Sequence, residues 1–220
     1  YFAITVGRDS YMNLDAYFQL EGLAYRVVPI KSESRDGQTG RVASDIMYEN
    51  MMNKFKWGGI DNPEVYLDEN NRRMIMNLKN NFSRLAKQLL EEGKRDSAIQ
   101  VLDYCTELMP HTRVPYSYYN LLMAEVYYNA EAIEKANDVC RILGEKLIDD
   151  IDYYLSLGTD ADVGDEDQRA IAIFQEVIRI VEMHQQKELS KKLNAKFNQL
   201  ILKYNIGFEE QREVPQGGGQ

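Results

Sequence analysis

From residue 69 to residue 204 apolar side chains recur at steps of three and four, the period of a helix with one buried face. Phe82, Leu85, Ala86 and Leu89 form one stripe, and Ala98 and Leu102 the next. Met123, Ala124 and Tyr127, then Ala136 and Cys140, repeat the arrangement. Further on, Ile171, Phe174, Ile178 and Val181 align, followed by Leu189, Leu193, Phe197, Ile201 and Tyr204. The pattern predicts helices over about 69–91, 96–109, 116–130, 132–147, 166–186 and 187–204. Gly93 marks the end of the first, Asp96 is the expected cap of the second, and Asp165-x-x-Gln168 has the form of a capping box for the fifth.

The first 68 residues read differently. Tyr1 to Val6 is β-rich and is broken by Gly7-Arg8-Asp9, and Leu23 to Ile30 is a second strand running into Pro29. Between them, Leu14 to Leu20 reads as a short helix. Ser32 to Gly40 is polar and glycine-bearing, hence an expected mobile loop. Ser44 is the expected cap of a helix over 45–56 carrying Met47, Tyr48, Met51, Met52 and Phe55, which Trp57-Gly58-Gly59 stops. Residues 60–67 are an extended connector with turn chemistry at Asp61-Asn62-Pro63.

Two consecutive helix pairs have the spacing of tetratricopeptide repeats. Phe82, Leu85-Ala86, Leu89, Ala98, Leu102 and Pro110 fill the pattern of the first; Met123-Ala124, Tyr127, Ala136 and Cys140 fill that of the second, with Asn120 at the aromatic position and Ile148 at the proline position. A 38-residue interval separates Ala86 from Ala124 and Ala98 from Ala136. A standard unit is about 34 residues, so the turn after Pro110 carries the surplus. The alanines mark where paired backbones must come close, and one pair cannot cover its own apolar face, so pairs stack. The final pair is expected to cap the stack without keeping its small positions. The expected fold is therefore mostly α, a tetratricopeptide-like helix-hairpin solenoid with a small two-stranded N-terminal β element. Its expected parts are a β/α segment at 1–68 packed on the repeats, two repeat units at 69–148, an acidic loop and capping pair at 149–208, and a disordered tail at 209–220.

At 220 residues with 44% hydrophobic and 28% charged side chains, the chain has a globular composition. It has no apolar run long enough for a membrane span. It opens on Tyr1 without a methionine, which suggests a piece of something longer. A net charge of −9 and a pI near 4.9 argue against nucleic acid or an anionic membrane as partner. Cys105 and Cys140 fall on the apolar side of second helices and read as buried thiols, with a disulfide between adjacent units as the alternative.

Signals for chemistry are sparse. His111 and His184 have no partner at ligand spacing, and neither a phosphate loop, a nucleophile elbow nor a dinucleotide fingerprint occurs, so neither a cofactor nor a metal site is expected. Asp160-x-Asp162 has the form of a short acidic motif of some sugar transferases, and Asp160, Asp162, Asp165 and Asp167 could at most bind calcium weakly; a solvated turn is the simpler reading. The better candidate is a surface. In such a stack the first helix of each pair lines the concave side, which places Ser83, Lys87 and Glu91, then Tyr118, Leu121, Glu125 and Tyr128, on a groove for a peptide or partner protein. The alternative is that these tyrosines pack against the N-terminal sheet or the methionine-rich helix. Trp57 reads as core, or as a docking edge toward another part of a parent chain.

Two segments carry a family resemblance. They are Gly7-Arg8-Asp9 with Tyr17-Phe18-Gln19-Leu20-Glu21-Gly22-Leu23-Ala24-Tyr25-Arg26-Val27-Val28-Pro29, and Asp45-Ile46-Met47-Tyr48-x-Asn50-Met51-Met52-Asn53-Lys54-Phe55-Lys56-Trp57-Gly58-Gly59. With the repeats that follow, the chain resembles the soluble C-terminal region of a family of large bacterial membrane proteins. The N-terminal half of that family is multi-spanning and similar to protein O-mannosyltransferases. The resemblance implies a non-catalytic domain on the periplasmic side of the inner membrane, attached to a glycosyltransferase-like parent whose catalytic carboxylate lies in the membrane half. The implied partners are that membrane half and an acceptor or assembly protein; a role in glycan binding through the 160–167 loop, and simple homodimerisation, are the alternatives.

Overall fold

The computed structural model describes residues 1–31, 34, 36–158 and 165–204. Among these the protein is mostly helical with a small mixed sheet at its N-terminus. The sheet has four strands, not the expected two: β1 (Phe2–Ala3), β2 (Phe18–Leu20), β3 (Ala24–Val27) and β4 (Arg41–Val42), in the spatial order β1-β3-β2-β4. β3 pairs antiparallel with β1 and β2, and β4 joins β2 in parallel. The helix expected over 14–20 is instead a single 3-10 turn at Asp15–Tyr17 followed by β2. Burial decides this: all three residues of β2 are buried, and Phe18 lies 5.3 Å from the stacked ring of Tyr25 and 5.0 Å from Tyr11. A cross-strand aromatic pair outweighs the modest helical preference of a seven-residue segment.

Helix α1 (Ser44–Tyr48) continues through Glu49–Lys54 with its ladder widened into π-helical turns. Ser44 is inside the helix rather than its cap; its hydroxyl donates to Glu92 at 2.7 and 2.9 Å. Six longer helices follow: α2 (Glu69–Glu91), α3 (Arg95–Leu108), α4 (Asn120–Asn129), α5 (Ile133–Ser156), α6 (Glu166–Met183) and α7 (Lys187–Tyr204). Asp68 caps α2 by accepting the amide of Asn71 at 2.7 Å. Asp96 is not a cap, since α3 begins one residue before it, and Asp165 makes no side-chain cap at α6. α5 runs nine residues past its expected end, because Leu147, Ile148 and Ile151 keep a buried stripe through the acidic stretch.

α2 packs on α3, α4 on α5 and α6 on α7, while α2 also meets α4 and α5 meets α6 and α7. Ala86, Ala98, Ala124 and Ala136 are all buried at these contacts. The three pairs close their turns identically. The amides of Lys94, Ala132 and Gln186 reach back five residues to the carbonyls of Leu89, Tyr127 and Val181 at 2.8, 2.9 and 3.0 Å. The residue just before each, Gly93, Glu131 or Gln185, is left-handed, with φ of 76°, 57° and 60°. This is the Schellman closure. Five positions after each left-handed residue stands a small buried side chain: Ala98, Ala136 and Ser190. The last pair therefore keeps one of the small positions it was expected to lack. Eleven positions before, Phe174 stands where Phe82 does.

Polar groups join the sheet to the helices. Asn81 donates to the Gly22 carbonyl at 2.7 Å, and Arg84 Nη2 to the Gly40 carbonyl at 2.7 Å. Gly40, at φ +81°, has no room for a side chain, since a Cβ there would stand 2.8 Å from the Tyr25 ring. Among the described residues no helix is long and apolar enough to cross a membrane.

Candidate functional site

α2 presents Asn77, Asn80, Asn81 and Arg84 at helical spacing on one face. This face meets the sheet on one side and the segment leading into α4 on the other. Between them lies a cleft of about 400 Å³. Its walls include Tyr25 and Ile4 from the sheet, Gln38 from the loop before β4, and Tyr118 and Tyr119 just ahead of α4.

Each wall is held in place. Arg84 is 2% exposed and its Nε donates to Asp36 at 2.6 Å, with Nη1 on the Thr39 carbonyl at 3.0 Å. Burial alone would raise the Asp36 carboxyl, but hydrogen bonds from Arg84 and Ser34 outweigh it and hold the group below the usual carboxylate range. The loop over 32–40, expected to be mobile, is thus tied down at Asp36, Thr39 and Gly40; Ser32, Glu33 and Arg35 lie outside the described residues. Asn80 and Gln38 bridge the cleft mouth, amide to amide, at 2.8 Å. The segment before α4 is held by Lys79, which is 1% exposed and donates to the Val114 carbonyl at 2.7 Å while its Nζ sits 5.0 Å from the Tyr116 ring centre. Desolvation lowers the Lys79 ammonium to about 8. Asn120 accepts the Ser117 amide at 3.0 Å, which explains an asparagine at the aromatic position of the second unit: it ties its own turn.

The expected groove residues separate into two groups. Tyr118 is 51% exposed and lines the cleft, its ring 3.9 Å from that of Tyr119. Glu91 is exposed; Lys87 and Leu121 are half-buried; Glu125 is half-buried and pairs with Arg179 at 3.6 Å. Ser83 and Tyr128 are not groove residues. Ser83 is fully buried and donates to the Lys79 carbonyl at 3.2 Å. Tyr128 is 2% exposed, stacks on His184 at 4.3 Å and donates to Asn137 at 2.6 Å, so it joins the second hairpin to the third. The sequence pattern put both on a surface because it counted turns of α2 and α4 without the elements that cover them.

Trp57 is half-buried, its ring 5.3 Å from Phe82 and 6.0 Å from Phe55, and its indole nitrogen has no hydrogen-bond partner among the described residues. His111 is exposed beside Tyr116. Cys105 and Cys140 are both buried free thiols, which closes the disulfide alternative. Asp160 and Asp162 lie outside the described residues, as does the expected tail at 209–220. Asp167 accepts the Gln168 amide at 2.8 Å in the first turn of α6. Sequence reasoning missed Arg84, Lys79, Asn77, Asn80 and Asn81 of α2. The available signal was polar and basic side chains at helical spacing beside the apolar stripe of Phe82, Leu85 and Leu89.

Residues 1–46 match the family model described as TMEM260-associated domain 2. The match covers the sheet and the start of α1 and links the chain to the TMEM260 family, which is related to protein O-mannosyltransferases. No curated protein and no solved structure matches the chain.

Proposed function

We propose that the chain is a non-catalytic accessory domain of a glycosyltransferase-like membrane protein, and that its helix pairs form a tetratricopeptide-like stack that receives a peptide or partner protein on the α2–α4 face. The observation that carries this is the repeated turn: three successive pairs close through a left-handed residue at the same position, followed five positions later by a small buried side chain. Stacks of this kind expose their first helices to partners. The match over 1–46 supports the link to a glycosyltransferase-like parent; the periplasmic placement beside the membrane half rests on the sequence resemblance of nearly the whole chain to the soluble C-terminal region of a multi-spanning bacterial family. The surface so assigned comprises Lys87, Glu91, Tyr118, Leu121 and Glu125.

A photo-reactive residue at position 118 in the parent protein tests this. It should crosslink to a polypeptide, while the same group in place of Tyr66, which is 84% exposed on the connector, should not. Equal labelling at both positions overturns the reading. Loss of sugar transfer in an Asp160→Ala, Asp162→Ala variant that still captures its partner would favour the acidic-loop alternative, and light scattering of the chain would reveal a purely dimerising role.

A further inference from the structure

The cleft between the sheet and α2 has a chemistry of its own. The charged residue of its wall, Arg84, is already matched by Asp36, which accepts from Nε at 2.6 Å and from Nη2 at 3.3 Å. An anion would have to displace that carboxylate, and a cation would meet no unpaired acid on the walls. Asn77, Asn80 and Gln38 offer amide donors and acceptors, and Asn77 has no side-chain hydrogen bond among the described residues. Opposite them, Tyr119 covers one side of the Tyr118 ring while half of the Tyr118 surface stays open. Neutral amides facing an open aromatic ring suit a ligand with an apolar face and a rim of hydroxyls. The volume falls within the range of about 300–1,000 Å³ typical of small-molecule sites.

We infer that this cleft is a carbohydrate-binding site, with Tyr118 stacking on the C–H face of a neutral sugar residue and Asn77 and Asn80 hydrogen-bonding its hydroxyls. Amides suit hydroxyls because each supplies both a donor and an acceptor, and a vicinal diol presents both. The stack is available because Arg84, Asn81 and Lys79 fix the walls without using the Tyr118 ring. Tyr118 belongs to both surfaces, so a polypeptide docked over it and a sugar stacked on it would compete; crosslinking at position 118 reads the first and glycoside saturation reads the second, so either can fail without the other.

Saturation-transfer NMR of the 220-residue chain with methyl glycosides of mannose, glucose, galactose and N-acetylglucosamine tests the inference. At least one glycoside should receive saturation at its ring C–H protons. Tyr118→Ala should weaken that binding about tenfold, the loss expected for one aromatic stack. Asn77→Asp, a change at a half-buried surface position, should weaken it as well, and circular dichroism will show whether each variant keeps its fold. If Tyr118→Ala does not fold, Asn77→Asp alone carries the test. Binding of no glycoside overturns the inference, as does binding unchanged in the folded variants. Saturation of a neutral tripeptide in place of every glycoside also overturns it.

Discussion

Arg84 on α2 donates its Nε–H to Asp36 at 2.6 Å, with the arginine side chain 1% exposed and the aspartate 11%. The same guanidinium also holds the carbonyls of Thr39 and Gly40, so one side chain fastens the loop before β4 onto the helices. Removing one partner of a buried pair leaves the other charge uncompensated. Asp36→Asn should therefore destabilise the chain by about 3–5 kcal/mol, measured by urea unfolding. The pair also sets an acid limit: the Asp36 carboxyl is depressed in the fold, so its contribution is present above the ordinary aspartate value and is lost as pH falls through the lowered one. The wild type should converge on the variant at low pH. A constant difference down to the lowest pH would refute the pairing.

Lys79 runs the other way. Burial lowers its ammonium from 10.5 to about 8, so between these values the unfolded chain binds a proton that the fold does not. Stability from this group therefore rises with pH across that window. Below about 8 both states are charged and the full desolvation penalty applies. Lys79→Met removes the titration, and also the hydrogen bond to the Val114 carbonyl. The stability of wild type relative to this variant should grow by about 2 kcal/mol from pH 7 to 9.5. Urea melts of both proteins at pH 7 and 9.5 measure it, and a pH-independent difference would rule out a buried, depressed ammonium.

The left-handed turn residues make a third expectation. Gly93 adopts φ +76° without a Cβ penalty, whereas Glu131 and Gln185 adopt φ of 57° and 60° with one. Left-handed backbone costs an L-residue roughly 1–2 kcal/mol, part of which glycine gives back through its freer unfolded chain. Gln185→Gly should stabilise by about 0.5–1 kcal/mol, and Gly93→Ala should destabilise by a similar amount. Thermal melts of the two variants should shift in opposite directions; shifts of the same sign would mean that these turns do not control the hairpins.

What the sequence showed, and what it hid, follows from where each signal resides. Helical periodicity is local, so α2, α6 and α7 were expected within a few residues of their observed ends. The buried alanines were legible because close backbone approach admits few side chains. The sheet was only half legible: β4 pairs with β2 across some twenty intervening residues, and two-residue strands carry no period. The true extent of α5 was masked by Asp149, Asp150 and Asp152, which read as a loop although the buried face beneath them continues. At the site, Tyr118, expected on a first helix, stands just ahead of α4 and lines the cleft. Ser83 and Tyr128 were misplaced because their covering is long-range: Tyr128 is capped by His184, 56 residues away. The asparagine face of α2 was passed over because a polar stripe on a helix usually faces water; here the sheet lies against it.

The two thiols supply the last expectation. Cys105 and Cys140 are both free and buried, on α3 and α5, and burial pushes each thiol up from 9.0 to about 12. The nucleophile is the thiolate, so a rise of three units lowers its population about a thousandfold near neutral pH. Exclusion from solvent adds to this, so a reagent such as Ellman's can reach either sulfur only when the surrounding helices open. In the native chain at pH 8 both thiols should react slowly, at rates set by opening and insensitive to reagent concentration. In denaturant both should react at once and in equal amount. Cys105, wholly enclosed by α2, α3 and the Tyr116 segment, should be the slower of the two; Cys140 lies near Tyr128 and the third hairpin, so Tyr128→Ala should accelerate its labelling while leaving Cys105 unchanged. Fast labelling of both in the native chain would show that the hairpins do not close over their cores as described. Acceleration of Cys105 as well would mean that the three hairpins open as one unit rather than separately.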